Sequence, residues 1–141
     1  MERKMIVVGI LLILLSIVLG AFGAHALKDI LKEFPEKIVS FETGVRYQMY
    51  SGLAFLIIGL NKDKFQFSLN AVFWTWLIGT LFFSVSIYFL AIQSVLGVSL
   101  KFLGPFTPLG GLLLIIGWLI LLLKFLKQSN PQFPKPNSDT K

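Results

Sequence analysis

Phe41 to Tyr50 reads FETGVRYQMY and stands at the head of an apolar run that continues to Leu60. Glu42 and Arg46 lie four residues apart, so on a helix they share one face. Ionisable groups in a hydrophobic segment are costly in a bilayer and usually point into the protein. The stretch therefore reads as the polar head of a membrane helix, and the fold depends on what flanks it.

The flanks are membrane-like. The chain has 141 residues, 55% hydrophobic and 14% charged, with a mean hydropathy of +0.79. A soluble domain is nearer 45–50% apolar and about 25% charged. One crossing takes about 20 apolar residues, so the length allows one domain of several spans and no separate soluble catalytic domain. The absence of cysteine removes disulfides and thiolate chemistry, and a single histidine, His25, argues against a histidine-rich metal site. No cofactor and no metal are expected. The net charge of +6 comes from lysines scattered at helix ends with no basic block, which suits anionic lipid headgroups and not nucleic acid.

Working outward, the spacing predicts an all-α integral membrane four-helix bundle over residues 1–127, with helices over about 5–24, 41–60, 69–96 and 104–126. Helix 1 follows MERK and imitates a signal peptide, with Ala24-His25-Ala26 in the place of a cleavage site. Its apolar run from Met5 to Phe22 is too long for a signal core, and another membrane segment follows, so it is expected to remain uncleaved. Ser16, Gly20 and Ala24 recur every four residues as a small-residue ridge for helix packing. Between helices 1 and 2, Leu27, Ile30, Leu31, Phe34 and Ile38 follow helical spacing opposite a charged face. That pattern predicts a short amphipathic helix at the interface, with Pro35 ending or restarting it.

Helix 3 opens with Phe73, Trp74 and Trp76, which read as an interfacial aromatic belt. Its middle carries Thr75, Gly79, Thr80, Ser84 and Ser86, small residues that mark helix contacts; with no partner base in view, the serines are not expected to be nucleophiles. The segment GPFTPLGG, Gly104 to Gly111, starts helix 4, where prolines fit the first turn and Gly110 and Gly111 permit close packing. Residues 128–141, polar and proline-rich, read as a disordered tail.

Four spans put both termini on one side. That side holds Arg3, Lys4, Lys62, Lys64, Lys124, Lys127, Lys135 and Lys141, against Lys28, Lys32, Lys37, Arg46 and Lys101 on the other. The excess of eight over five puts both termini in the cytoplasm of a bacterial cell membrane. The same topology brings His25, Glu42, Arg46, Tyr47, Gln48, Tyr50, Gln93 and Thr107 to a common level. As a structural clasp, Glu42 would pair with Arg46 while Tyr47, Gln48 and His25 satisfy the remaining groups. As a site, the cluster would line a small cavity for an anion, a lipid headgroup or a partner's polar segment. We favour the clasp, because an internally paired Glu and Arg near a helix end is among the cheaper arrangements.

GAFGAHALK (Gly20 to Lys28), FETGVRYQMY, GTLFFSVSIYFLAI (Gly79 to Ile92) and GPFTPLGG followed by Gly117-Trp118 together resemble the YwdK-like and YgdD-like family of small bacterial membrane proteins, domain of unknown function 423. The resemblance spans roughly Gly9 to Leu123 and implies a four-pass membrane protein with no assigned reaction, cofactor or ligand. The chain departs from the family's pattern at Ser51, where histidine usually follows Met-Tyr, and at Ser84 to Ser86, where Ser-Val-Ser replaces the commoner Ser-Gly-Ser. Any catalytic or metal-binding role of that histidine in relatives is closed to this chain.

The expected function is a non-enzymatic module that interacts with membrane lipids, a membrane partner or a second copy, and so affects membrane integrity or a membrane complex. The alternative is a small transporter or channel subunit working as a homo-oligomer, in which Glu42 would carry the coupling. A lipid- or peptide-directed enzyme is the weakest reading, since there is no Ser-His-Asp arrangement and no metal-ligand spacing.

Overall fold

The structure, a computed structural model, describes residues 1–128. The expected tail falls almost wholly outside the described residues. Among them there are four long helices and no strand. Helix α1 runs Glu2–Ile30, α2 Pro35–Leu60, α3 Asn70–Ile92 and α4 Phe106–Lys127. Three segments, Glu2–Ile30, Asn70–Ile92 and Lys101–Lys127, are long and apolar enough to cross a membrane by length and composition. α2 falls short of that measure because its first half carries Glu42, Arg46 and Gln48.

The separate interfacial helix is not found. A wide π turn over Gly23–Leu27 carries α1 on to Ile30. A tight turn follows, with the Leu31 amide donating to Leu27 O at 2.8 Å and the Phe34 amide to Leu31 O at 2.8 Å. Pro35 then opens α2 in its first turn, where a missing N–H costs nothing, so α2 starts six residues before Phe41. The apolar stripe is divided accordingly. Leu27 and Leu31 are buried with Phe41 and Ala91, whereas Ile30 and Phe34 are exposed. The 3.6-residue spacing was real but belonged to the ends of two long helices.

Contacts along the chain make every neighbouring pair antiparallel. Gly59 lies against Met5 and Ile6, Gly52 against Gly9 and Ile13, and Gly23 against Phe41, which sets α2 along the whole of α1. A β-carbon on Gly9 would stand 2.8 Å from both Gly52 O and Leu56 N, so two backbones touch there. Gly79 and Gly110 do the same for α3 and α4: a β-carbon on Gly110 would lie 2.8 Å from Gly79 O and closer still to the Phe83 amide. The close backbone approaches thus run α1–α2, α2–α3 and α3–α4 in chain order.

The core lies at the end where α1 begins. Phe55 packs edge-on against Phe73 and Trp76, each with ring centroids 5.6 Å apart, with Met5, Val72 and Leu114 around them. The expected aromatic belt is corrected here: Phe73 and Trp76 are core, and only Trp74 faces outward. Helical spacing from Val72 and Phe73 through Trp76 to Gly79 and Thr80 turns that face inward. α3 also stops at Ile92, short of Leu96, since turns lead to Gly97 with φ +65, a conformation that suits glycine.

Candidate functional site

α2 is the helix that organises the polar residues. Phe41, Gly44, Gln48, Ser51, Gly52, Phe55 and Gly59 are buried, a stripe at three- and four-residue spacing. Glu42, Arg46, Tyr47 and Tyr50 fall off that stripe and are exposed. The wheel position, more than polarity, decides which side chains reach the interior.

Gln48, 5% exposed, is the centre of the buried network. Its Nε2 donates to Leu12 O of α1 at 3.1 Å, and its Oε1 accepts from the Tyr88 hydroxyl of α3 at 2.8 Å. Leu12 O also accepts from Ser16 Oγ at 2.8 Å. One turn along, Ser84 Oγ donates to Gly44 O at 2.9 Å. Ser84 and Tyr88, four residues apart, share one face of α3, beside a π turn over Leu81–Val85. A buried amide with both ends paired avoids the desolvation cost of an orphaned polar group, about 1–3 kcal/mol.

The expected common level does not hold. Gln48 sits opposite Leu12, midway along the apolar run from Met5 to Phe22, while Glu42 is opposite Gly20 and Gly23 near its end. The antiparallel helices do share an end, but the eight residues from Glu42 to Tyr50 climb about 12 Å of helix at 1.5 Å each. Among the described residues no ion pair joins Glu42 to Arg46. Arg46 Nη2 donates instead to Thr43 Oγ1 at 3.2 Å, and both charged side chains border a 200 Å³ recess beside Gly20 and Gly23.

The remaining residues take separate places. His25 is exposed in the π turn of α1. Gln93 caps the end of α3, its Oε1 accepting from the Leu100 amide at 2.9 Å. Thr107 shares a hydrogen bond with Ser86 at 2.6 Å, tying α4 to α3. Tyr47 and Tyr50 meet edge-on at 5.9 Å, and Tyr47 also lies 4.8 Å from Phe83. Of the packing residues, Ser16, Gly79, Ser84 and Gly110 are buried between helices, and Gly20 and Gly111 are half-buried. Ala24 is exposed and Gly23 takes its place against Phe41, since a 3.6-residue period carries the ridge from Ser16 and Gly20 to Gly23 and not to Ala24.

Two hollows were not foreseen. A 460 Å³ crevice runs between α3 and the 93–105 connection, with Phe82, Val85, Phe89, Val98 and Phe102 among its walls. A 440 Å³ groove separates α2 from α4 on the other side of α3, with Tyr47, Tyr50, Ser51 and Trp118 on it. The signal for the first was the low charge of Ser94 to Gly104, where Lys101 stands alone. Among the described residues no three of His, Asp, Glu or Cys converge as a metal set would. Two buried atoms, Trp76 Nε1 and Thr80 Oγ1, have no hydrogen-bond partner among the described residues.

Relatives agree on the class of molecule. A UPF0382 membrane protein of Staphylococcus epidermidis is 42% identical over 126 residues, covering 89% of this chain and 97% of the relative. A UPF0382 membrane protein of Staphylococcus haemolyticus is 40% identical over 126 residues, with the same coverage of both chains. The UPF0382 membrane protein YwdK of Bacillus subtilis is 34% identical over 128 residues, covering 89% of this chain and 98% of the relative. No solved structure matches. The family described as a protein of unknown function, DUF423, matches residues 19–111, from the end of α1 through the start of α4. With its membrane-length helices and these bacterial relatives, the chain belongs to the DUF423 family of membrane proteins.

Proposed function

We propose that this protein is a non-enzymatic, lipid-binding membrane module with all four helices across the bacterial cell membrane and both termini in the cytoplasm. The observation that carries the reading is the crevice between α3 and the 93–105 connection. Its volume of 460 Å³ is in the range of small-molecule sites, about 300–1,000 Å³. Its walls are apolar apart from Ser86, whose hydroxyl is already engaged with Phe82 O and Thr107. Lys101, exposed between the lining residues Leu100 and Phe102, is the one charge on the connection. An acyl chain fits the walls, and an anionic headgroup fits the lysine.

The length of α2, with Gln48 bonded to α1 and α3 and the Gly44 carbonyl bonded to α3, supports a fourth span. The excess of Lys and Arg on the side of the termini supports the orientation. His25, the one histidine, is exposed at the end of α1, which fits holding a lipid better than transforming one.

Native mass spectrometry after mild extraction from membranes of mixed phosphatidylglycerol and phosphatidylethanolamine tests the reading. Retained phosphatidylglycerol is expected, reduced severalfold by Val85→Trp, which fills the crevice, and shifted toward the zwitterionic lipid by Lys101→Gln. A lipid-free protein, or the same lipid retained by Val85→Trp, would contradict it.

A further inference from the structure

The groove on the opposite side of α3 has a different chemistry. α2 and α4 make few if any close backbone approaches, while α3 packs closely on both. Ser51 lies on the groove at the level of Gly52, which packs on Gly9 and Ile13 in the middle of the apolar run of α1. The groove is therefore at the centre of the hydrocarbon and not at a headgroup.

Among the described residues its hydroxyls, like the buried one of Thr80, lack the pairing that most helical hydroxyls of this chain have. Ser16, Ser40, Thr43, Thr75 and Ser86 each turn the hydroxyl back to the carbonyl four residues earlier, the ordinary way for a helix in lipid to satisfy such a group. Ser51, only 9% exposed, is in the position to do the same toward Tyr47 and makes no hydrogen bond among the described residues. The Tyr47 and Tyr50 hydroxyls likewise have no partner there, although the side chains are 45% and 58% exposed. In hydrocarbon no water satisfies them, and each unpaired hydroxyl is costly. Three residues with unpaired hydroxyls on one groove call for an occupant that forms hydrogen bonds.

The remaining walls describe that occupant. No charged side chain lines the groove, so the ligand is neutral. Trp118, Phe83 and the two tyrosines present aromatic surfaces, and Gly111 leaves the α4 side low. We propose that the groove between α2 and α4 binds a neutral, lipid-soluble molecule whose flat ring carries carbonyl oxygens, of the quinone class, with Tyr47, Tyr50 and Ser51 donating to those oxygens. The volume of 440 Å³ accommodates a substituted ring, and the opening toward lipid leaves a path for an apolar tail. This site is independent of the acyl-chain crevice, from which α3 separates it.

Tryptophan fluorescence in nanodiscs of phosphatidylglycerol and phosphatidylcholine tests the proposal, with decylubiquinone as the probe. A Trp74→Phe background leaves Trp76 and Trp118, both on the groove, as the reporters. Saturable quenching is expected, with half-saturation raised about tenfold by Tyr50→Phe with Ser51→Ala, as the loss of two hydrogen bonds implies. Tyr50→Phe alone, on a largely exposed side chain, is expected to raise it about threefold while leaving helicity and melting unchanged. Quenching that rises linearly without saturating, or saturates equally in these variants, would overturn the proposal. So would efficient disulfide formation between copies carrying Tyr50→Cys in this cysteine-free chain, since a second copy would then fill the groove.

Discussion

At the α1–α2 and α3–α4 seams glycine meets backbone, Gly9 on Gly52 and Gly79 on Gly110, whereas at the α2–α3 seam Gln48, Tyr88 and Ser84 meet across hydrogen bonds. The glycine seams gain mainly from dispersion over long, closely apposed backbones, with Gln48 to Leu12 O and Ser86 with Thr107 as hydrogen bonds across them. The α2–α3 seam is directional: sliding α3 by one residue takes Tyr88 off Gln48 and Ser84 off Gly44 together. Closeness comes from the two outer seams, and the axial register of the two hairpins comes from the middle one.

The sharpest way to break that contrast is to enlarge a glycine. Gly110→Leu would drive a side chain into the Phe83 amide and Gly79 O, both main-chain atoms that cannot swing aside. A loss of about 3 kcal/mol, or failure to accumulate in the membrane, is expected; melting in detergent reads it. A wild-type melting curve would mean that α3 and α4 are not in backbone contact.

Next in size is the centre of the network. Gln48→Leu removes the partner of the Tyr88 hydroxyl and one of the donors to Leu12 O, and is expected to cost about 1–2 kcal/mol. Ser84→Ala, which leaves Gly44 O with its helical partner only, is expected to cost about 0.6 kcal/mol, the usual size of an interhelical hydrogen bond in a membrane. Chemical denaturation in mixed micelles resolves both, and equal costs would remove the special place of Gln48.

Smallest are the charges. Glu42→Gln and Arg46→Gln are each expected to move stability by no more than about 0.5 kcal/mol, because both side chains are exposed and Arg46 meets a threonine, not the carboxylate. If Glu42→Gln cost more than Gln48→Leu, the register would be set at the end of the fold and not at its centre.

Much of this was legible in the residues. Hydropathy gave the membrane class, and the Gly-Pro punctuation gave the start of α4. The small residues of α3, Gly79 and Ser84 among them, mark contact positions. Two features misled for physical reasons. The pair Glu42 and Arg46 drew attention by charge, yet the buried face of α2 was written in its small and apolar residues: Gly44, Gly52 and Gly59 share a face with Gln48. The amphipathic pattern from Leu27 to Ile38 was helical in period, but period alone does not tell one interfacial helix from the two ends of a hairpin. The partnership of Gln48 with Tyr88, 40 residues away, left no local trace at all.

Whether Gln48 and Tyr88 lock the helices in register is decided by a double-mutant cycle. Gln48→Met, Tyr88→Phe and the double variant would be unfolded reversibly in the same micelles, with Glu42→Gln and Arg46→Gln run as a parallel cycle. Coupling of about 1 kcal/mol between Gln48 and Tyr88, with almost none between Glu42 and Arg46, is the expected result. Coupling confined to the charged pair, with Gln48 and Tyr88 additive, would contradict it.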